Sequence, residues 1–217
     1  MKIKHVKKTA RLLDKRAETE GVSGGGRCPF IPISEPCASC GVRCCNRFAV
    51  PITGFDVVRI WSATGRKPDE FAQLALAQNI ESAPHTPIFI FEEGQMEERL
   101  LTLHRLKNNF CVFSLHSAGC SIWGNHPLVC KTYPFVVDKA GKLAYTKNFV
   151  CPRKWEKSEY DEKRMLTLGE QMNVEIEEYN RLVRKWNATK AKSGTEADFW
   201  KFLIKESKEW MEKNKTN

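Results

Sequence analysis

The chain has 217 residues, a formal net charge of +9 and nine cysteines, and 41% of its residues are hydrophobic. This length can bury an apolar core without disulfide crosslinks, and no stretch approaches the roughly 18 consecutive apolar residues of a membrane-spanning helix. The basic balance is typical of a well-solvated surface, and it leaves an acidic protein partner or nucleic acid open as a binding partner.

The N-terminal segment, residues 1–26, is rich in charged residues. Residues 4–20 are mostly good helix formers with a thin apolar stripe, which predicts a basic helix or tail that ends at the glycine run 24–26. Because the segment lacks the apolar stretch of a secretory signal, we expect a cytoplasmic protein in which thiols stay reduced.

Residues 27–155 are predicted to form a cysteine-rich domain. Its first part, residues 28–50, carries five cysteines among Pro, Gly and Ser, which indicates an irregular loop that an apolar core cannot hold. Thr53 predicts the N-terminal cap of a helix that ends at Gly65. A second helix is predicted from about Pro68, with Phe71, Leu74, Ala75 and Leu76 as its apolar face.

The rest of this domain is predicted to be mainly strands. A short helical turn is expected to start at Pro127 and to include Val129–Thr132. The predicted strands are residues 87–91, 100–105 and 110–115, followed by a hairpin of 135–138 and 143–147 around the turn 139–142.

Residues 156–217 are predicted to form a C-terminal helical segment. A long charged helix over 159–186 is followed by a break at Ser193-Gly194, and Thr195 is expected to cap a last helix. The expected fold class is α+β, with a small antiparallel sheet, cysteine-rich metal-binding loops and C-terminal helices packed on the sheet.

The cysteines indicate a metal site, because thiols in a reducing compartment bind metals more often than they form disulfides. A first cluster combines a two-residue spacing with an adjacent pair, and a second set is spread among turns and strand ends. Together they supply eight thiolates, the complement of two four-cysteine sites. The predicted ligands are Cys37, Cys40, Cys44, Cys45, Cys111, Cys120, Cys130 and Cys151.

The adjacent pair Cys44-Cys45 restricts how these thiolates divide. Neighbouring side chains point to opposite faces of an extended chain and diverge by about 100° in a helix. We therefore expect the two to serve different metal centres, or different irons of one cluster. The alternative is that some of the nine are buried thiols without a metal, which suits one or two of them, such as Cys28.

The cysteine pattern resembles the CxxCxxCC family of zinc- or iron-chelating cysteine-cluster proteins. The run Cys37-Ala-Ser-Cys40-Gly followed by Cys44-Cys45 looks like the family's first cluster. The run from Cys120 through Pro127-Leu-Val-Cys130 to Tyr-Pro-Phe135 is similar to its Cys-x-Ile-Tyr-x-x-Arg-Pro-x-x-Cys-Arg-x-Tyr-Pro-Phe segment, and Cys151 fits its closing cysteine. The resemblance covers about residues 28–155.

This sequence also departs from the family pattern. One extra residue separates Cys40 from the cysteine pair, and Trp123 stands in place of the usual Tyr. His126 and Lys131 stand where the family has Arg, so a role that needs a bidentate guanidinium is not preserved.

The resemblance implies two kinds of function. Related flagellin lysine N-methylases carry an iron–sulfur cluster and use S-adenosylmethionine, which implies a [4Fe–4S] protein that acts in methyl transfer to a protein side chain or in redox chemistry. The alternative is a non-catalytic zinc module that binds a partner, since zinc also takes four thiolates. The sequence assigns no catalytic residue and contains no Gly-rich methyltransferase loop.

Overall fold

A computed structural model of the protein describes residues 48–80, 84–107, 109–115, 119–146, 155–190 and 192–214. The predicted basic N-terminal helix and nearly all of the cysteine-rich loop that precedes Val50 lie outside these residues. The fold class is α+β, as predicted, with small antiparallel sheets and C-terminal helices.

Helix α1, Gly54–Thr64, begins and ends where the sequence predicts. The Thr53 Oγ1 atom accepts a hydrogen bond from the Asp56 N–H (3.2 Å), and Asp56 Oδ2 accepts one from the Thr53 N–H (3.0 Å). This reciprocal capping box satisfies backbone donors that a helix start leaves unpaired. At the other end Gly65 adopts φ 70, a left-handed conformation that glycine tolerates, and its N–H donates to the Trp61 carbonyl.

The second predicted helix is wrong. Pro68–Glu70 forms only one 3₁₀ turn, and the chain then continues as strand β1, Ala72–Leu76. Ala72 and Leu74 are buried while Gln73 is half-buried, so the apolar side chains follow the two-residue period of a strand. Pairing with a long neighbouring strand outweighs the weak helical spacing of these residues.

The central sheet has the strand order β1-β3-β2 and is antiparallel throughout. Strand β2, Ile88–Glu92, is close to its predicted position, whereas β3, Gln95–Leu103, starts five residues earlier than expected. The predicted strand 110–115 shortens to β4, Ser114–Leu115, which pairs with β5, Gly119–Cys120.

The remaining small elements agree with the sequence. Helix α2, Leu128–Thr132, follows Pro127, and the predicted hairpin is present as β6, Phe135–Val137, and β7, Leu143–Tyr145.

Two helices complete the chain: α3, Glu162–Lys190, and α4, Glu196–Lys213, which Thr195 caps as predicted with a second capping box. Among the described helices, none combines the length and apolar character needed to cross a membrane.

Side chains of α3 bond to the backbone of β2 and of the loop before it. Asn180 donates to the Pro84 carbonyl (3.0 Å) and accepts from the Thr86 N–H (2.6 Å). Two helical turns later, Asn187 donates to the Pro87 carbonyl (2.8 Å) and accepts from the Phe89 N–H (2.9 Å). Trp186 Nε1 donates to the Phe89 carbonyl (2.9 Å). Side chains of α3 therefore make the hydrogen bonds to residues 84–89 that a further strand would make in a wider sheet.

One apolar core joins the sheet to all three long helices. It includes Phe55 of α1, Ile88 of β2, Trp186 of α3 and Leu203 of α4, each at most 1% exposed. The C-terminal helices therefore pack on the sheet as predicted.

Candidate metal centre and its cavity

Three of the eight predicted ligands lie in the described structure: Cys111, Cys120 and Cys130. The other five, and Cys28, fall outside the described residues, so their ligation stays a prediction: Cys37, Cys40, Cys44, Cys45 and Cys151. Within the described ranges no group of three or more His, Cys, Asp or Glu side chains is close enough to hold a metal ion.

Cys120 lies in strand β5 of the β4–β5 pair, and Cys111 lies three residues before strand β4. The Ser114 N–H donates to the Cys111 carbonyl (2.9 Å), and Ser114 is the register partner of Cys120. Cys111 is 6% exposed and Cys120 is half-buried against the same core. Two predicted ligands that are nine residues apart therefore occupy one small structural unit.

Cys130 lies on the short helix α2, at the wall of a partly open cavity of about 230 Å³. This volume exceeds the roughly 150 Å³ of an apolar cavity that accepts benzene. Most of the wall is apolar, formed by residues of the segment 48–51, of α2 and of α3. The polar side chains that line it are those of Thr53, Asp56, His85, Cys130, Tyr133, Thr146 and Glu175.

His85 is the most unusual of these polar side chains. It is 8% exposed, and neither ring nitrogen has a hydrogen-bond partner among the described residues. The imidazole meets the ring of Tyr179 edge to face, with 5.4 Å between the ring centroids. Burial lowers the pKa of His85 to about 4, despite the opposing charge of Asp56, so the ring is neutral at neutral pH.

The two carboxylates at the cavity wall already have partners. Arg59 donates to both oxygens of Glu175 and to Asp56 Oδ1, each at 2.7 Å. Burial alone would lower the pKa of Arg59, but its hydrogen bond to Glu175 and the charge of Asp56 outweigh burial and raise that pKa. Asp56 Oδ1 also accepts from the Leu128 N–H (3.2 Å), which attaches the start of α2 to α1.

His126 and Lys131, which replace the family's arginines, flank Cys130. The His126 ring stacks on Trp123 with 4.6 Å between centroids, and Nδ1 accepts from the Gly124 N–H (3.1 Å). Burial, together with the positive charges of Lys131 and Arg164, lowers the pKa of His126 to about 4. With one ring nitrogen engaged in its own loop, His126 has the environment of a structural histidine.

Sequence reasoning missed His85, Asp56 and Glu175 as residues of this cavity. His85 lies between two prolines in a segment without periodicity, and Glu175 is one of many charged residues on a long helix. Only Asp56 had a local signal, because it stands three residues after Thr53 in a capping box.

Comparison with known proteins and family models assigns the chain to a family. No curated protein and no solved structure matches the chain. A family model, CxxCxxCC, described as "Putative zinc- or iron-chelating domain", matches residues 36–162. This match covers more than half of the chain, contains all eight predicted ligands and includes the short helix that carries Cys130. The chain therefore belongs to the CxxCxxCC family of zinc- or iron-chelating domains.

Proposed function

We propose that this protein binds iron–sulfur clusters, most simply [4Fe–4S], through the eight cysteines of the family pattern. Thiolate ligands suit such clusters, and four cysteines hold each one. The adjacent Cys44-Cys45 pair supports a polynuclear centre or two separate centres, because diverging neighbouring side chains seldom ligate one ion.

The main observation behind the proposal is that two ends of the described chain segments lie at the same cavity. Phe48, which follows the first cysteine cluster, and Thr146, which precedes Cys151, both line the cavity that contains Cys130. The rings of Phe48 and Tyr133 also meet, with centroids 6.1 Å apart.

Chain length then limits how far the other ligands can be. Cys45 is three residues before Phe48 and Cys151 is five residues after Thr146, and an extended chain spans at most about 3.6 Å per residue, so ligands from both segments could reach the cavity that contains Cys130. These short chain lengths support a centre whose ligands come from the first cysteine cluster, Cys130 and Cys151. A bound cluster would supply one-electron redox chemistry at this place.

The test is anaerobic purification followed by metal and sulfide analysis. We expect a brown protein with iron and acid-labile sulfide in equal amounts, whose visible absorption bleaches with dithionite. A colourless protein that contains zinc without sulfide would instead identify the zinc module.

We extend the proposal to a reaction at the centre, either redox or methyl transfer to a protein side chain. The largely apolar pocket beside Cys130 supports this extension, because it offers room for a substrate group next to the proposed centre. The methyl-transfer form requires the cluster-loaded protein to bind S-adenosylmethionine, which calorimetric titration measures. Absence of binding would remove methyl transfer and leave the iron–sulfur assignment unchanged.

A further inference from the structure

The cavity contains a buried histidine whose ring nitrogens have no hydrogen-bond partner among the described residues. The backbone on both sides of His85 is fixed by one α3 side chain, because Asn180 bonds the Pro84 carbonyl and the Thr86 N–H. The imidazole is only 8% exposed. Buried polar atoms are normally satisfied, so a ring held at a cavity wall in this way indicates a ligand that supplies the partner.

The two carboxylates of the wall are already used for other bonds. Each oxygen of Asp56 accepts two hydrogen bonds, from the cap residue of α1 at Oδ2, and from Arg59 and the first residue of α2 at Oδ1. Both oxygens of Glu175 accept from Arg59. These carboxylates therefore hold the helices together, whereas His85 keeps its hydrogen-bonding capacity.

The rest of the wall determines the character of the ligand. Apolar side chains form most of it, and among the described residues no lysine or arginine lines it. An anionic group would lose its hydration there without gaining a cation, and a cationic group would compete with Arg59 for Asp56 and Glu175. The cavity therefore favours an uncharged ligand with an apolar body, and its volume of about 230 Å³ accommodates one aromatic ring.

A hydroxyl is the polar group that best suits His85. Burial lowers the pKa of this histidine to about 4, so its neutral ring has a donor at one nitrogen and an acceptor at the other. A hydroxyl both donates and accepts, so it can bond whichever nitrogen faces the cavity. A water molecule would bond the same ring, but it needs several polar partners, which a mostly apolar wall does not supply.

We propose that the cavity binds a small uncharged ligand that has an apolar body and one hydroxyl group, and that the His85 imidazole recognises this hydroxyl. The inference deepens the proposed function by naming the chemical class that the pocket beside Cys130 accepts. It rests on the proposed function for the role of this ligand as a substrate, whereas binding itself requires no bond from His85 to a metal.

Phenol and toluene test the proposal, because they have nearly the same shape and differ by the hydroxyl group. Isothermal titration calorimetry measures their binding to the anaerobically purified full-length protein. A purely apolar cavity prefers toluene, since phenol must give up hydrogen bonds to water. We expect the opposite order, with phenol bound about tenfold more tightly, as one added hydrogen bond allows. Preference for toluene, or no saturable binding of phenol, would overturn the inference.

Benzoate and benzylamine test the requirement for an uncharged ligand, because they carry a charged group on the same ring. We expect both to bind at least about tenfold more weakly than phenol. Benzylamine bound more tightly than phenol would show that the carboxylates of the wall, and not His85, determine recognition. Benzoate bound more tightly than phenol would likewise contradict the proposed ligand class.

His85→Leu should reverse the order of the two probes, so that toluene binds more tightly than phenol. His104→Leu is the matched control, because both ring nitrogens of His104 have partners, at Gln73 Oε1 and the Asp69 carbonyl, each 3.1 Å away. It should keep the preference for phenol. A preference for phenol that persists in His85→Leu would assign the hydroxyl to another group and overturn the role of His85.

Ile176→Phe tests the location of the probes. Ile176 lines the cavity and is half-buried, so a larger side chain there should fill the space and weaken the binding of both probes. Unchanged binding would place the probes elsewhere and overturn the inference. Circular dichroism shows whether each variant folds, and the order of phenol and toluene in the unmodified protein does not depend on any variant.

The outcomes separate this inference from the iron–sulfur proposal. A preference for phenol in a protein that lacks iron and sulfide would support the role of His85 and remove the cluster. Iron and sulfide together with a preference for toluene would overturn the role of His85 and leave the cluster assignment standing.

Discussion

At the residue scale, Asp56 connects three parts of the fold. Its two oxygens accept from the cap residue of α1, from Arg59 one turn later and from the first residue of α2. Arg59 continues the connection to Glu175 of α3. A single buried carboxylate therefore sets the position of the short helix that carries Cys130.

Glu175→Gln tests the ion-pair network. Asp56 and Glu175 are almost fully buried, whereas the Arg59 side chain is 26% exposed and would keep its bond to Asp56. Glu175→Gln replaces a bidentate, charge-assisted contact to Arg59 with at most one neutral acceptor, so we expect a loss of about 2 kcal/mol in the free energy of unfolding. Urea denaturation measures it.

Glu178→Gln on the same helix is the control. Glu178 pairs with Arg181, whose side chain is 57% exposed, so its removal should change the free energy of unfolding by less than about 1 kcal/mol. Equal effects of the two substitutions would show that the Arg59 network does not stabilise the fold more than a surface pair.

The cysteine variants form a second prediction at this scale. Cys28→Ser should keep the full metal content, because Cys28 lies outside the eight residues of the family pattern. Cys44→Ser and Cys45→Ser should each lose part of the metal, with different spectra, because their side chains diverge. Metal analysis of anaerobic samples measures this. Loss in Cys28→Ser together with full content in the other two would reverse the ligand assignment.

At the scale of secondary-structure elements, the sequence predicts features that depend on neighbouring residues, such as helix caps. It does not predict strand pairing between distant segments. Thr53 and Thr195 each precede an Asp by three residues, and both form the predicted caps. Residues 72–76 have apolar positions that suit a helix or a strand, and only pairing with Leu100–Leu103, far along the chain, decides for a strand. His85 carries no local signal because its position depends on Asn180, 95 residues later.

Gly54→Ala tests the contact between α1 and α4. A Cβ atom on Gly54 would lie 2.3 Å from Ser207 Oγ and 2.7 Å from Leu203 Cδ1, so these two fully buried side chains would have to move. Overpacking of this kind costs about 1–3 kcal/mol, which exceeds the gain from the better helix propensity of alanine. We expect a lower midpoint of thermal unfolding.

Two further variants complete this experiment. Ser62→Ala, at an exposed position of α1, should change the free energy of unfolding by less than about 0.5 kcal/mol. Combining Gly54→Ala with Ser207→Gly should recover part of the loss, because the closest atom is removed. An unchanged unfolding midpoint in Gly54→Ala alone would disprove the close helix contact.

At the scale of the whole molecule, the apolar core and the metal site have different sources of stability. The core joins α1, the sheet, α3 and α4 through residues far apart in sequence. Residues 28–50 contain few apolar side chains, so we predict that metal ligation offsets the entropy of ordering this loop.

Metal removal should therefore act on one part of the chain. After chelation we expect protease to cleave within residues 28–47 while a fragment that contains α3 and α4 persists, as mass spectrometry of the digest would show. The metal-loaded protein is the control. Identical digestion patterns with and without metal would contradict a metal-ordered N-terminal region.

The bonds from α3 to strand β2 have one more consequence. Asn187 and Trp186 of α3, and the Gly194 carbonyl that follows this helix, form hydrogen bonds to backbone groups of β2, an edge strand of the sheet. An uncovered border strand is a template for strand addition from a second molecule. A chain truncated after Trp155 would present that template together with a bared apolar face, and its expected fate is self-association into aggregates.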